Sequence, residues 1–284
     1  MKKKRLIILL SIFAVLVLVV VLSSTVFTLK TVVVNFYNAD DKLVDDITKN
    51  HYFNSDEKIN QIIDNAKFNY GKNIFLVNQK ENKEKIEKTS PYIKVISISI
   101  EFPNRMVVKA VERQEYYAVL NSTNNYFICD ADFKVLRVSE TKPAELIEVV
   151  AENSGTLFDF VSTSADLNAG DFVGFNDATN NLLTLADEMY TCHFEREKML
   201  TLCETITLEN KPCSNIEKGN VDNLIIKTHA GVKIKIENIK ADFSNKVLKV
   251  LEVYNSLVNG NNPENTTRGV IKVFDNLTYS YDAE

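Results

Sequence analysis

Twenty-four consecutive residues, Leu6 to Leu29, carry no charge. A helix of that length rises about 36 Å, more than the roughly 30 Å of a bilayer's hydrocarbon core. The competing explanation is a cleaved signal peptide, whose apolar region runs only about 7 to 15 residues and ends at a small-residue site. Here the stretch Leu6 to Leu22 is broken only by Ser11 and Ala14, and Ser23-Ser24-Thr25-Val26-Phe27 follows. The pattern predicts an uncleaved anchor. Lys2, Lys3, Lys4 and Arg5 precede it and only Lys30 follows closely, so the positive-inside rule puts the N-terminus in the cytoplasm and residues 30 to 284 outside.

The four leading cations contribute +4 to a formal net charge of −5, leaving −9 for the remainder, which excludes a basic nucleic-acid surface. With 45% hydrophobic and 25% charged residues, and only 8 Gly and 5 Pro, the outer portion has the balance of a globular chain with a buried core. Its length accommodates two small domains. Cys129, Cys192, Cys203 and Cys213 allow three full pairings, and their spacing matches no zinc site. Buried thiols are the expected state.

Thr31 to Tyr37 is β-branched and aromatic, as a strand is. Ser55 is an N-cap ahead of Ile59, Ile62, Ile63 and Ala66, which share one helical face. Gly71 ends that segment, Asn73 to Val77 is a short apolar piece, and Gln79 to Thr89 reads as a second helix stopped before Pro91. Between Ile96 and Phe102 apolar residues alternate with Ser97, Ser99 and Glu101; Pro103-Asn104 turns the chain, and Arg105 to Val111 returns. The order is strand, helix, helix, strand, strand. After Arg113 come short strands at Tyr116 to Leu120, Tyr126 to Cys129 and Phe133 to Val138. A helix is expected over Asn181 to Met189, with helical or irregular structure toward Leu202. Strands at Asn223 to Lys227 and Val232 to Ile236 flank Gly231; a helix follows, marked by Val247, Val250, Leu251, Tyr254 and Leu257; strands at Gly269 to Phe274 and Leu277 to Tyr281 close the chain.

Several of these stretches resemble the FtsQ/DivIB family of bacterial cell-division proteins. Gly71-Lys72-Asn73-Ile74-Phe75 is similar to its GKNIF turn. Pro91-Tyr92-Ile93 and Phe102-Pro103-Asn104 resemble its hairpin, with Phe for Trp, and Val111-Glu112-Arg113 resembles the close of its POTRA unit. Asp130 to Leu136 is similar to its D-x-x-G-x-V-L segment, with Phe133 where the family has Gly. Leu224 to Ile236, Lys246 to Leu257 and Gly269 to Val273 resemble the end of its β domain, whereas 144 to 220 aligns with no motif. The resemblance implies an α+β architecture. A cytoplasmic tail (1–5) and a transmembrane helix (6–29) precede a POTRA-like β-α-α-β-β domain (30–113) and a mixed, β-rich domain with helices (114–284), which ends in an edge strand.

The functional implication is a non-enzymatic scaffold in the cell membrane at the division septum. It would recruit two small coiled-coil partners, FtsB/DivIC-like and FtsL-like, by strand addition at Leu277, Thr278, Tyr279, Ser280 and Tyr281. The residues independently offer little chemistry. His51, His193 and His229 sit in no HExxH or GxSxG context, and Cys192 beside His193 is not a dyad by adjacency alone. Scattered glycines make no phosphate loop and the cysteine spacing makes no zinc site; no cofactor, metal or small-molecule ligand is expected. The sequons at Asn121, Asn265 and Asn276 read as polar turns. Two alternatives stand beside the scaffold. One is an anchored wall enzyme or receptor, which needs a concave polar site; the other is an outer-membrane assembly protein, which needs a regular many-stranded barrel.

Overall fold

A computed structural model describes residues 2–38, 42–44, 46–121, 123–152, 167–173, 202–258 and 268–282. The chain separates into two compact units, Met1–Arg113 and Gln114–Glu284.

The first unit opens with helix α1 (Lys2–Thr25). Its side chains are described at 10–21 and 24–25, and the large apolar ones between Leu10 and Val21 stand exposed. Among the described residues no helix is long and apolar enough to cross a membrane; the side chains at 6–9 and 22–23, which complete the charge-free run of the sequence, lie outside them.

Strand β1 (Thr31–Tyr37) pairs in parallel with β3 (Arg105–Glu112), and β3 pairs antiparallel with β2 (Ile93–Glu101), giving the order β1-β3-β2. Helices α2 (Asp56–Asn65) and α3 (Gln79–Thr89) connect β1 to β2. Ser55 caps α2 by accepting from the Lys58 amide, and Asn78 caps α3 by accepting from the Glu81 amide. The sequence places α2 where its apolar period lies because Ile62 and Ala66 are buried, with Ile86 of α3, against Val34, Phe36, Met106 and Val108. Strand β2 starts earlier than the alternation suggested. Its register shifts between Val95 and Ser97, so Ile93, Val95 and Ile98 point inward while Ile96 is exposed. A bulge adds one residue and breaks the period of two that the sequence seemed to continue from Ile96.

Nine strands of the second unit form one sheet among the described residues. They are β4 (Tyr117–Leu120), β5 (Tyr126–Cys129), β6 (Val135–Ser139), β7 (Ile147–Glu152), β8 (Cys203–Pro212), β9 (Asn220–Thr228), β10 (Lys233–Ile236), β11 (Val270–Val273) and β12 (Tyr279–Asp282). The order is β12-β11-β10-β9-β8-β7-β4-β5-β6. Helix α4 (Phe243–Val258) links β10 to β11, which run parallel. Its Val247, Val250 and Leu251 join Ile226, Ile234, Ile271 and Val273 in the core.

Two strands, β7 and β8, lie in the stretch 144 to 220, where the sequence aligned with no motif and no strand was expected. β7 pairs in parallel with both β4 and β8, so it is stabilised by neighbours distant in sequence rather than by a local hairpin. The helix expected at Asn181 to Met189 lies outside the described residues. Phe133 sits in the turn between β5 and β6 with φ 58°, the left-handed region that glycine adopts freely. Burial holds it there: it is 1% exposed and its ring stacks on Tyr117, centroids 4.4 Å apart.

Candidate functional site

The candidate site is the hairpin that ends the second sheet. Phe274 donates its N–H to the Thr278 carbonyl at 2.9 Å, and Leu277 donates its N–H to the Phe274 carbonyl at 3.1 Å. Asn276 Oδ1 accepts from the backbone N–H and hydroxyl of Thr278, at 3.1 and 2.6 Å. Leu277 therefore has φ 64°, a conformation that costs a non-glycine residue about 1–2 kcal/mol. Leu277 and Thr278 close the turn, and the expected strand at Leu277 to Tyr281 instead spans Tyr279–Asp282. Sequence alternation missed the shift because an Asx turn and a strand start can share the same residues.

Among the described residues β12 stands at the end of the sheet, with β11 as its only strand neighbour. Its register sets Val273 against Tyr279, Lys272 against Ser280 and Ile271 against Tyr281. Bonded and non-bonded pairs alternate along an antiparallel ladder. Since Phe274 and Thr278 meet at a bonded position, Lys272 and Ser280 do too, and the N–H and C=O of Tyr279 point away from β11. The Tyr279 side chain is 51% exposed, with Lys249 Nζ of α4 lying 5.1 Å from its ring centroid. Tyr281 is half-buried against the core and donates its hydroxyl to the Arg268 carbonyl at 3.0 Å.

Gly269, just before β11, has φ 109°, and a Cβ there would lie 2.7 Å from the Asp282 carbonyl oxygen and 2.8 Å from the Tyr281 ring. It lets the end of β12 approach closely. A lone glycine ahead of an apolar run was the sequence signal for that constraint.

A polar cluster fixes the turn. Asp275 accepts from Lys218 Nζ at 2.5 Å, Asn238 Nδ2 at 2.6 Å and Lys246 Nζ at 3.2 Å. Lys246 is fully buried and also donates to the Glu237 and Asn238 carbonyls, both at 2.9 Å. Glu237 accepts from the Asp275 amide at 3.1 Å and from the Ser214 amide and hydroxyl, each at 2.5 Å. The Lys218 ammonium, with Asn238 and Lys246, holds the Asp275 carboxyl down at about 2 against the opposing effect of burial. For Glu237, burial pulls upward, but the Ser214 and Asp275 donors outweigh it and the carboxyl lies below its ordinary value.

Other sequence candidates are structural where they are described. Cys129, Cys203 and Cys213 are buried and free. Burial pushes the Cys203 thiol up to about 12 and Cys129 well above its usual value, so neither is a thiolate at neutral pH. Asn121 accepts from Thr123 and Asn125 in a turn like that of Asn276. No metal-ligating group of side chains occurs among the described residues, which exclude Cys192, His193 and Asn265.

Comparison with known proteins comes to the same family by two routes. Residues 50–113 match the POTRA domain, FtsQ-type. The chain is also 38% identical over 81 residues to the cell division protein DivIB of Clostridium acetobutylicum. That stretch covers 28% of this chain and spans about a third (32%) of the length of that relative. Both similarities are to the family whose motifs the sequence resembles, and each covers only part of the chain.

Proposed function

We propose that this chain, carrying an FtsQ-type POTRA domain, is a non-enzymatic scaffold of cell division that presents β12 as a docking edge. Leu6 to Thr25 of α1 anchors it across the membrane, the expected span being shortened at Val26 to Leu29, which lie beyond the helix; residues 30–113 form the POTRA domain and residues 114–284 the β domain, both extracytoplasmic. Small coiled-coil membrane partners, FtsB/DivIC-like and FtsL-like, add a strand alongside β12, and the assembly acts at the septum to regulate wall synthesis. The observation carrying this reading is that β12 ends the sheet among the described residues. A terminal strand with a single neighbour offers main-chain donors and acceptors that an incoming strand satisfies.

The geometry also supports the choice of edge. At the opposite end of the sheet, β6 is partly covered: Val135 N–H donates to the Asp171 carbonyl, and the Gly170 N–H donates to the Val135 carbonyl, both at 2.8 Å. The Tyr279 ring adds contact area at low conformational cost, a property that enriches tyrosine at interfaces.

The test is capture of the two organism-matched partners by the membrane-embedded full chain. Tyr279→Pro deletes the outward amide, and Tyr279→Ala deletes the ring alone. Partner recovery should fall sharply for the proline variant and less for alanine, with unfolding midpoints near the parent's. Equal recovery with all three chains would reject β12 as the docking edge.

A further inference from the structure

Two motifs that the scaffold reading leaves without a role converge at one end of the first unit. Phe27, Phe75 and Phe102 come from three separate segments, yet their rings form a closed triangle with centroids 5.5, 6.3 and 5.4 Å apart. Water still reaches it. Phe75 is 63% exposed, Phe102 62% and the adjoining Leu76 67%, although Phe36, Phe53 and Phe68 of the same unit are buried. Three large side chains left in water beside one another form an apolar patch that needs a cover.

The patch is tied to the chain leaving α1. Ile74 donates its N–H to the Phe27 carbonyl at 2.8 Å, Leu29 to the Lys72 carbonyl at 2.9 Å, and Gly71 to the Leu29 carbonyl at 2.9 Å. From the other loop, the Asn104 carbonyl accepts from the N–H groups of Lys30 and Thr31, at 2.9 and 3.3 Å. Both loops are thus strapped to residues 27–31, which follow shortly after the helix.

We infer that this aromatic triangle, with Leu76, is seated in the headgroup layer of the bilayer that holds α1, bracing the first unit against the membrane surface. The inference rests on the proposed anchor, and helix length supplies its geometry. From Leu6 to Thr25 the helix rises about 30 Å, the thickness of the hydrocarbon core. Phe27 follows Thr25 by two residues, which reach at most about 7 Å, and the interfacial layer on each side is of that depth. The triangle therefore falls where aromatic side chains favour the membrane boundary. Lys30 and Lys72, both exposed and both in the strapped segments, add charge suited to anionic headgroups.

The chain contains no tryptophan, so one introduced Trp is a unique fluorophore. The full chain is reconstituted in phosphatidylcholine–phosphatidylglycerol vesicles whose acyl chains are brominated near the headgroup or near the terminal methyl. Phe75→Trp, Phe102→Trp and Leu76→Trp should show blue-shifted emission, quenched more by the shallow bromines. Leu16→Trp, midway along α1, should be quenched more by the deep ones, and Tyr52→Trp, whose backbone N–H donates to the Glu112 carboxylate at the far end of β3, by neither. Leu76 lies outside the triangle, so its variant reads the patch even if a ring substitution disturbs the packing. Quenching at Leu16 with none at 75, 76 and 102 would overturn the inference while leaving the anchor intact, and would give the patch to a protein partner or a second copy. No quenching at Leu16 would remove the anchor and the inference together.

Discussion

Lys246 Nζ sits 3.2 Å from Asp275 Oδ1 with its side chain entirely excluded from water, so a helix of the second unit is pinned by charge to the turn that launches β12. The two backbone carbonyls on the same ammonium complete its coordination, which is what makes a buried lysine tolerable.

Removing one member of this pair should cost far more than a surface ion pair. Lys246→Met leaves Asp275 and two carbonyls short of a donor, and is expected to destabilise the second unit by about 3–5 kcal/mol. Urea unfolding of the variant checks the figure. A change within about 1 kcal/mol, typical of exposed pairs, would mean that the cluster does not fix the hairpin.

The same cluster sets a pH dependence. The folded Asp275 carboxyl titrates at about 2, below its ordinary 3.8, so it stabilises the folded state fully above about pH 4. That contribution is lost as the pH falls from there through about 2. Thermal unfolding across this window should show the parent's midpoint falling more steeply than that of Asp275→Asn, which has no carboxyl to protonate. Parallel curves would contradict the assignment.

Phe133 offers an inverted ranking of substitutions. Truncating a buried Phe normally costs about 3–5 kcal/mol. At φ 58°, glycine recovers backbone strain that alanine retains, so Phe133→Gly should be less destabilising than Phe133→Ala by about 1 kcal/mol. Denaturation of the two variants side by side decides it. The usual order, with alanine better than glycine, would show that the turn relaxes once the ring is gone.

At Gly269 even a methyl group is too large. Its Cβ would meet the Asp282 carbonyl and the Tyr281 ring under 3 Å, so Gly269→Ala should push β12 away from β11. Hydrogen exchange should speed up at Ser280 and Asp282, the amides turned toward β11 by the alternation of the ladder, while β8 and β9 stay protected. Unchanged protection at both amides would show that the hairpin absorbs the methyl.

The sequence by itself determined the elements whose signals are local. The apolar face of Ile62 and Ala66 behind the Ser55 cap defined α2, and the β-branched run Thr31–Tyr37 defined β1, because side-chain period and capping chemistry are written within a few residues. It also supplied the family resemblance, through short turns such as Gly71 to Phe75. Tertiary structure decided the rest. β7 and β8 exist as strands through pairings such as Val149 with Ile206, between residues far apart in the chain, and no local window contains both partners. The left-handed turn at Leu277 moved the last strand by two residues at its start, a shift visible only once the Phe274 and Thr278 backbones meet. The edge position of β12 is likewise a property of the whole sheet. It follows from β10 and β11 lying parallel across α4, because the number of neighbours a strand keeps depends on where the fold places it, not on its own residues.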